Sequence, residues 1–100
     1  MTGQIIKMKE VLESPQSLSA AIGELDGEVN LQWDSVQGAN SYIIEFCRNK
    51  QNPSWRQIDI VSLSRYTITD LKAKSTYSFR VAAINGKEQG PWSEAVTKKI

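Results

Sequence analysis

The sequence predicts an all-β domain of seven short antiparallel strands, folded as a two-layer sandwich. Three observations carry this. Tyr77, Phe79, Val81 and Ala83 fall on alternate positions with Ser78, Arg80 and Ala82 between them, the pattern of an extended strand with one apolar face. Turn signals recur about every 8 to 12 residues along the chain, which is the spacing of short sandwich strands. Finally, 100 residues with 40% hydrophobic content suffice for one core, not two, and a chain of this length buries about 65% of its unfolded surface.

Residues 1–13 differ in pattern from the rest of the chain. Ile5, Met8 and Leu12 recur at helical spacing, with Lys7, Lys9, Glu10 and Glu13 among them. A segment this short does not hold a helix alone in water, so it is expected to be an N-terminal linker or short helix, with the domain spanning 14–100. Ser14-Pro15 stops any helix and opens an extended run from Gln16 to Ile22. Gly23 to Gly27, with its Asp26-Gly27 pair, reads as a turn. Val29, Leu31 and Trp33 then alternate with Asn30, Gln32 and Asp34 as a one-sided strand. After a loop around Gly38, Tyr42, Ile44 and Phe46 form the next inward row, with Ile43, Glu45 and Cys47 facing away. A polar, Pro-containing turn over 49–54 precedes strands at Trp55–Ile60 and Tyr66–Leu71. The run from Leu71 to Ala83 and its Gly/Pro-punctuated sequel supply the last two. Leu71, Phe79, Val81 and Ala83 are expected to pack from one side of the core. Tyr42, Ile44, Phe46, Tyr66 and Ile68 are expected to pack from the other, with Trp33 between the sheets.

These markers, in order, resemble the fibronectin type III family of immunoglobulin-like sandwiches. They are Pro15 with Leu18; Val29-x-Leu31-x-Trp33; Gly38-Ala39-x-x-Tyr42-x-Ile44; Leu71 to Tyr77; Tyr77-x-Phe79-Arg80-Val81-x-Ala83-x-Asn85; and Gly90-Pro91-Trp92-Ser93. The spacing of Leu71 and Tyr77 is similar to a tyrosine corner, in which the phenol bonds back to upstream backbone near Leu71 or Ala73. The chain departs from the family where Pro and Gly often follow that leucine: here stand Ala73 and Lys74. The short loops and the Gly-Pro-Trp-Ser ending resemble copies found in bacterial proteins. The structural core is expected to rest on Trp33, Tyr42, Leu71, Tyr77, Phe79 and Val81.

The chemistry in the chain argues against catalysis. It has no histidine, the commonest general base, and one cysteine, Cys47, which excludes an intramolecular disulfide and a Cys–His pair. No phosphate-binding loop, dinucleotide glycine motif or metal-ligand cluster is present. Asp59, Asp70, Glu45 and Glu94 have no spacing diagnostic of a glycosidase pair and read as surface charge. Pro53 spoils Asn52-Pro53-Ser54 as a glycosylation acceptor. Residues 1–50 carry 4 basic and 7 acidic groups, residues 51–100 carry 8 and 4, and the total is +1. The charge is dispersed, so nucleic acid is not an expected partner. No long apolar segment marks a membrane span or signal peptide, and a full-length chain of this kind is expected to be cytoplasmic.

The resemblance therefore implies a non-catalytic module, without cofactor or metal, that spaces other domains or binds protein through end loops or one sheet face. Some animal members display Arg-Gly-Asp before the last strand; here the loop reads Asn85-Gly86-Lys87-Glu88-Gln89-Gly90. Cytokine-receptor relatives carry Trp-Ser-x-Trp-Ser, of which Trp92-Ser93-Glu94-Ala95-Val96 keeps only the first half. Candidate partner contacts are Asn85, Gly86, Lys87, Glu88 and Gln89, the loop from Asp34 to Asn40, and an outward apolar set of Ile43, Cys47 and Ile84 with Trp55 or Trp92 nearby. Each has a plainer reading: the glycines only make the turn, scattered apolar residues on a surface are ordinary, and Trp92 stacks along Arg80 or covers the core edge. Open sheet edges are a further route to a partner strand. The expected oligomeric state is a monomer. The alternative is an accessory domain of a larger enzyme, virion or surface protein.

Overall fold

A computed structural model describes residues 11–48 and 52–100. The helical periodicity at Ile5 and Met8 lies outside the described residues. Among the described residues, eight strands form two antiparallel sheets: β1 (Ser19–Ile22), β2 (Val29–Gln32), β3 (Ser41–Cys47), β4 (Arg56–Val61), β5 (Arg65–Ile68), β6 (Thr76–Asn85), β7 (Glu88–Trp92) and β8 (Val96–Lys99). One sheet has the order β1-β2-β5. The other runs β4-β3-β6-β7, with β8 also on β6. This is the expected all-β sandwich.

The eighth strand arises because the last expected strand is broken in two. β7 pairs with the C-terminal half of β6 and β8 with its N-terminal half. At the break, Ser93 serves Val81 twice: its N–H donates to the Val81 carbonyl at 2.8 Å, and its Oγ accepts the Val81 N–H at 3.0 Å. A buried strand cannot leave those groups unpaired without a cost of about 1–3 kcal/mol, and the Ser93 hydroxyl fills the gap in the ladder.

Strand limits differ from the alternation pattern where backbone conformation overrides it. Ser17 has φ 60°, so the extended run from Gln16 begins as β1 only at Ser19; Asp70, at φ 63°, ends β5 at Ile68 instead of Leu71. Both lie in the left-handed region, which a regular strand excludes. Asp26-Gly27 makes the expected turn, with Gly27 at φ 75°.

The core joins Val29, Leu31, Ile68 and Trp33 to Tyr42, Ile44, Tyr77, Phe79, Val81 and Ala83. Leu71 is half-buried against it. Here the expected sides need correction. β3 pairs directly with β6, so Tyr42, Ile44 and Phe46 lie on the same sheet as Phe79, Val81 and Ala83. Their true opposite number is the β1-β2-β5 layer. Alternation tells which face of a strand is apolar, and it carries no information on which strand lies alongside. Leu12, placed by its spacing in the linker, is 6% exposed and belongs to the core cluster. It packs against Gly90, where an added Cβ would stand 2.8 Å from the Leu12 Cβ.

Two phenols anchor loops to this core. Tyr77 Oη accepts the Lys72 N–H at 2.9 Å, the tyrosine corner expected from Leu71 and Tyr77. Tyr42 Oη accepts the Val36 N–H at 2.9 Å and pins the β2–β3 loop in the same way, a bond that no spacing announced. Trp33 meets the Tyr42 ring edge-on at 5.4 Å between centroids.

Candidate interaction surface

The outer face of the five-stranded sheet is built on β3 and β6. Because Tyr42 and Ile44 point into the core, Ile43, Glu45 and Cys47 point outward, and by the same alternation so do Ser78, Arg80, Ala82 and Ile84. Register then lines up rows across the strands. Ile60, Ile43, Ala82 and Trp92 are successive partners from β4 to β7. Glu45 stands between Gln57 and Arg80.

Arg80 organises the face. Its guanidinium carbon lies 4.2 Å from the centroid of the Trp55 ring and 4.1 Å from that of Trp92, so the group is held between two indoles. Nε and Nη2 both donate to Glu45 Oε1, at 3.0 and 2.6 Å. The arginine and glutamate side chains are only 25% and 17% exposed. A planar cation with a weak hydration shell suits this position, since its faces stack while its edge binds the carboxylate. The stem and rings cover strand backbone that would otherwise be open. Below them, the Ser78 and Thr97 hydroxyls meet at 2.8 Å.

The consequence is that β6 is covered on both faces, not half-buried as its alternation implies. Cys47 needs the same correction: it points outward by register yet is 5% exposed, and its free thiol is withdrawn from the surface set. Ile43 and Ile84 remain half-buried on this face and Trp55 half-buried over Arg80, while Ile60 is 48% exposed. Ile60 had no place among the expected contacts. Its outward position follows from a register shift between Ile44 and Glu45 that puts Gln57 and Asp59, not 57 and 58, opposite successive β3 residues. An alternation count along β4 cannot register a bulge.

The segment expected as a loop over 85–90 is mostly strand. Asn85 pairs with Glu88, leaving Gly86 and Lys87 as a two-residue turn. Gly86 has φ 59° while Lys87 does not share the positive sign, the pattern of a type II′ hairpin with glycine at the first central position. Gly86, Lys87, Glu88 and Gln89 are exposed, and Asn85 is half-buried with its Nδ2 donating to the Gly38 carbonyl at 2.7 Å. The Asn40 N–H donates to the Ile84 carbonyl at 2.8 Å. These two bonds bring the β2–β3 loop and the β6–β7 hairpin to one end of the sandwich.

Among the described residues, no three His, Cys, Asp or Glu side chains converge as metal ligands, and no helix is long and apolar enough to cross a membrane. Among the described residues, the titratable group clearly displaced from its usual range is Tyr66. Burial foremost, then its 3.1 Å bond to Asp59 Oδ2 and the charge of that carboxylate, hold the phenol above its ordinary value of 10.0.

The family model of the fibronectin type III domain matches residues 13–99. This chain belongs to the fibronectin type III family. The domain is 32% identical over 93 residues to receptor-type tyrosine-protein phosphatase F of Danio rerio, a match covering 91% of this chain and 5% of the phosphatase. It is 27% identical over 100 residues to a tail tube protein of Bacillus phage SPP1, covering 99% of this chain and 35% of that protein. The chain thus spans a small part of the curated relatives it matches. In structure it is similar to a Fn3-like protein from Clostridium thermocellum, with TM-score 0.79, 24% identity, and 88% and 92% of the two chains covered. A titin fragment superposes with TM-score 0.76 at 26% identity, over 90% of this chain and 32% of that one. The fibronectin type III fold explains the tyrosine corner at Tyr77 and the position of Trp33 between the sheets. Trp55 and Trp92 form the clamp on Arg80.

Proposed function

We propose that this fibronectin type III domain is a non-catalytic interaction or spacing module, and that any partner contacts the outer β4-β3-β6-β7 face or the hairpin end. The observation that carries the reading is the apolar row of Ile60 and Ile43, with Ile84 one pleat away, beside a cation whose charge is already taken up by Glu45. Such a face offers shape and apolar area without an unpaired charge to desolvate, which is how a protein contact gains affinity. The relatives support the modular part: a domain matching 5% of a receptor phosphatase and 35% of a tail tube protein accompanies other sequence in both. A second reading, an accessory domain of a virion protein, is favoured by the phage match, which extends over 99% of the chain.

The test compares three proteins as bait for extract of the source organism: the parent, Ile60→Glu, and a turn variant with Lys87→Ser. Replacing all of 85–90 would remove an edge strand, so the turn is altered at one exposed position. A partner held by the parent and lost by Ile60→Glu supports the face; one lost by Lys87→Ser supports the hairpin end. Equal retention of nothing by all three supports spacing, and retention of one partner by all three overturns both proposed surfaces.

A further inference from the structure

We propose that Asn85 is a site of spontaneous deamidation, and that the reaction unties the β6–β7 hairpin from the β2–β3 loop. Of the asparagines in the chain, Asn85 alone precedes a glycine; Asn30, Asn40, Asn49 and Asn52 precede Leu31, Ser41, Lys50 and Pro53. In the reaction the backbone nitrogen of the following residue attacks the side-chain carbonyl carbon. A C–N bond forms, the proton on that nitrogen is lost, ammonia leaves, and a succinimide remains. Water then opens the ring at either carbonyl, giving aspartate or isoaspartate. No oxidant or enzyme is required. A side chain on the attacking residue hinders approach, and Gly86 has none. The space where its Cβ would stand is empty to 4 Å, and the residue is exposed, so hydroxide reaches its N–H.

The structure adds what the dipeptide alone does not. The nitrogen that leaves as ammonia is the Nδ2 that donates to the Gly38 carbonyl at 2.7 Å. The carboxylate left at position 85 has no hydrogen to donate and sets a negative charge against that carbonyl oxygen. In the isoaspartyl product an extra methylene also enters the backbone at the Asn85–Glu88 pair. The same end of the sandwich then depends on the Asn40 N–H bond to the Ile84 carbonyl. While the tie is intact it opposes the reaction, because cyclisation requires the amide to swing from Gly38 toward Gly86. Conversion therefore proceeds from molecules in which the β2–β3 loop has opened, and it is irreversible.

The folded domain and its Asn85→Gln variant are held at mildly alkaline pH in heavy-oxygen water and mapped by peptide mass spectrometry, with a urea-unfolded sample alongside. The expected result is heavy oxygen at position 85, shared between aspartyl and isoaspartyl peptides, slower folded than unfolded and missing from Asn85→Gln. Label appearing first at another asparagine, or position 85 unchanged when the unfolded sample is fully converted, overturns the site. For the untying, Asn85→Asp is compared with the parent by amide exchange. Exchange at Asn40 should rise severalfold while protection of Val81 and Phe79 in β6 stays as in the parent; unchanged exchange at Asn40 overturns it.

Discussion

At the scale of single residues, the buried phenols show what one hydrogen bond contributes. Tyr77→Phe keeps the ring against Phe79 and Phe46 but leaves the Lys72 N–H without its acceptor. The domain should lose about 1 kcal/mol, read from the denaturation midpoint, and remain folded. Lys74 presents the opposite case. It holds φ 64° where the family often has glycine, and its N–H donates to the Ile100 carbonyl at 3.0 Å. A left-handed lysine costs roughly 1–2 kcal/mol, so Lys74→Gly should stabilise, by about 1 kcal/mol or less once the looser unfolded chain is counted. A lower midpoint for that variant would show that the lysine stem makes contacts outweighing the strain. Tyr66 adds a pH effect whose sign is set by its raised pKa. The protonated phenol donates to Asp59, so its contribution is complete below 10.0, the unfolded value, and is lost as pH climbs through the higher folded value. The stability difference between the parent and Tyr66→Phe should stay constant from neutral pH to that point and shrink above it.

At the scale of elements, turns and edges carry constraints that strand patterns do not. Gly27 is buried at φ 75°, its carbonyl accepts the Leu71 N–H at 3.0 Å, and an added Cβ would collide with the Leu71 carbonyl oxygen. The β1–β2 turn thus rests directly on the segment leading into β6. Gly27→Ala should cost about 2–4 kcal/mol in a denaturant titration, combining positive φ with a backbone clash; a loss below about 0.5 kcal/mol would show that the two segments separate freely. The edges are managed as well. Pro91 sits on outer strand β7, where a missing N–H breaks no ladder. On the opposite edge, Asp59 Oδ1 takes the Ile60 N–H at 2.8 Å, a donor that would otherwise be offered to another strand. Asp26-Gly27 was legible as a turn from its residues, whereas the bulge in β4 and the double use of Ser93 were not. Neither leaves a mark on a period of two.

At the scale of the whole molecule, one aromatic residue joins the layers. Trp33 follows β2, meets Tyr42 of the other sheet edge-on, and is buried among residues of both. Among the described residues its Nε1 has no hydrogen-bond partner, and the ring packs into the core cluster. Trp33→Ala should cost roughly 3–5 kcal/mol, measured as the change in unfolding free energy, and an unchanged midpoint would contradict the packing described. The all-β class, the family, the tyrosine corner and the inward rows of β2, β3 and β6 were legible in the residues alone, because burial of one strand face imposes a period that survives without knowledge of neighbours. Which rows share a sheet, that Leu12 joins the core, that the last strand breaks at Ser93, and that Trp55 and Trp92 close over Arg80 emerged from the folded arrangement. Each of these joins residues far apart in the chain. Such pairings are selected by the free energy of burying the whole assembly, and no local pattern encodes them.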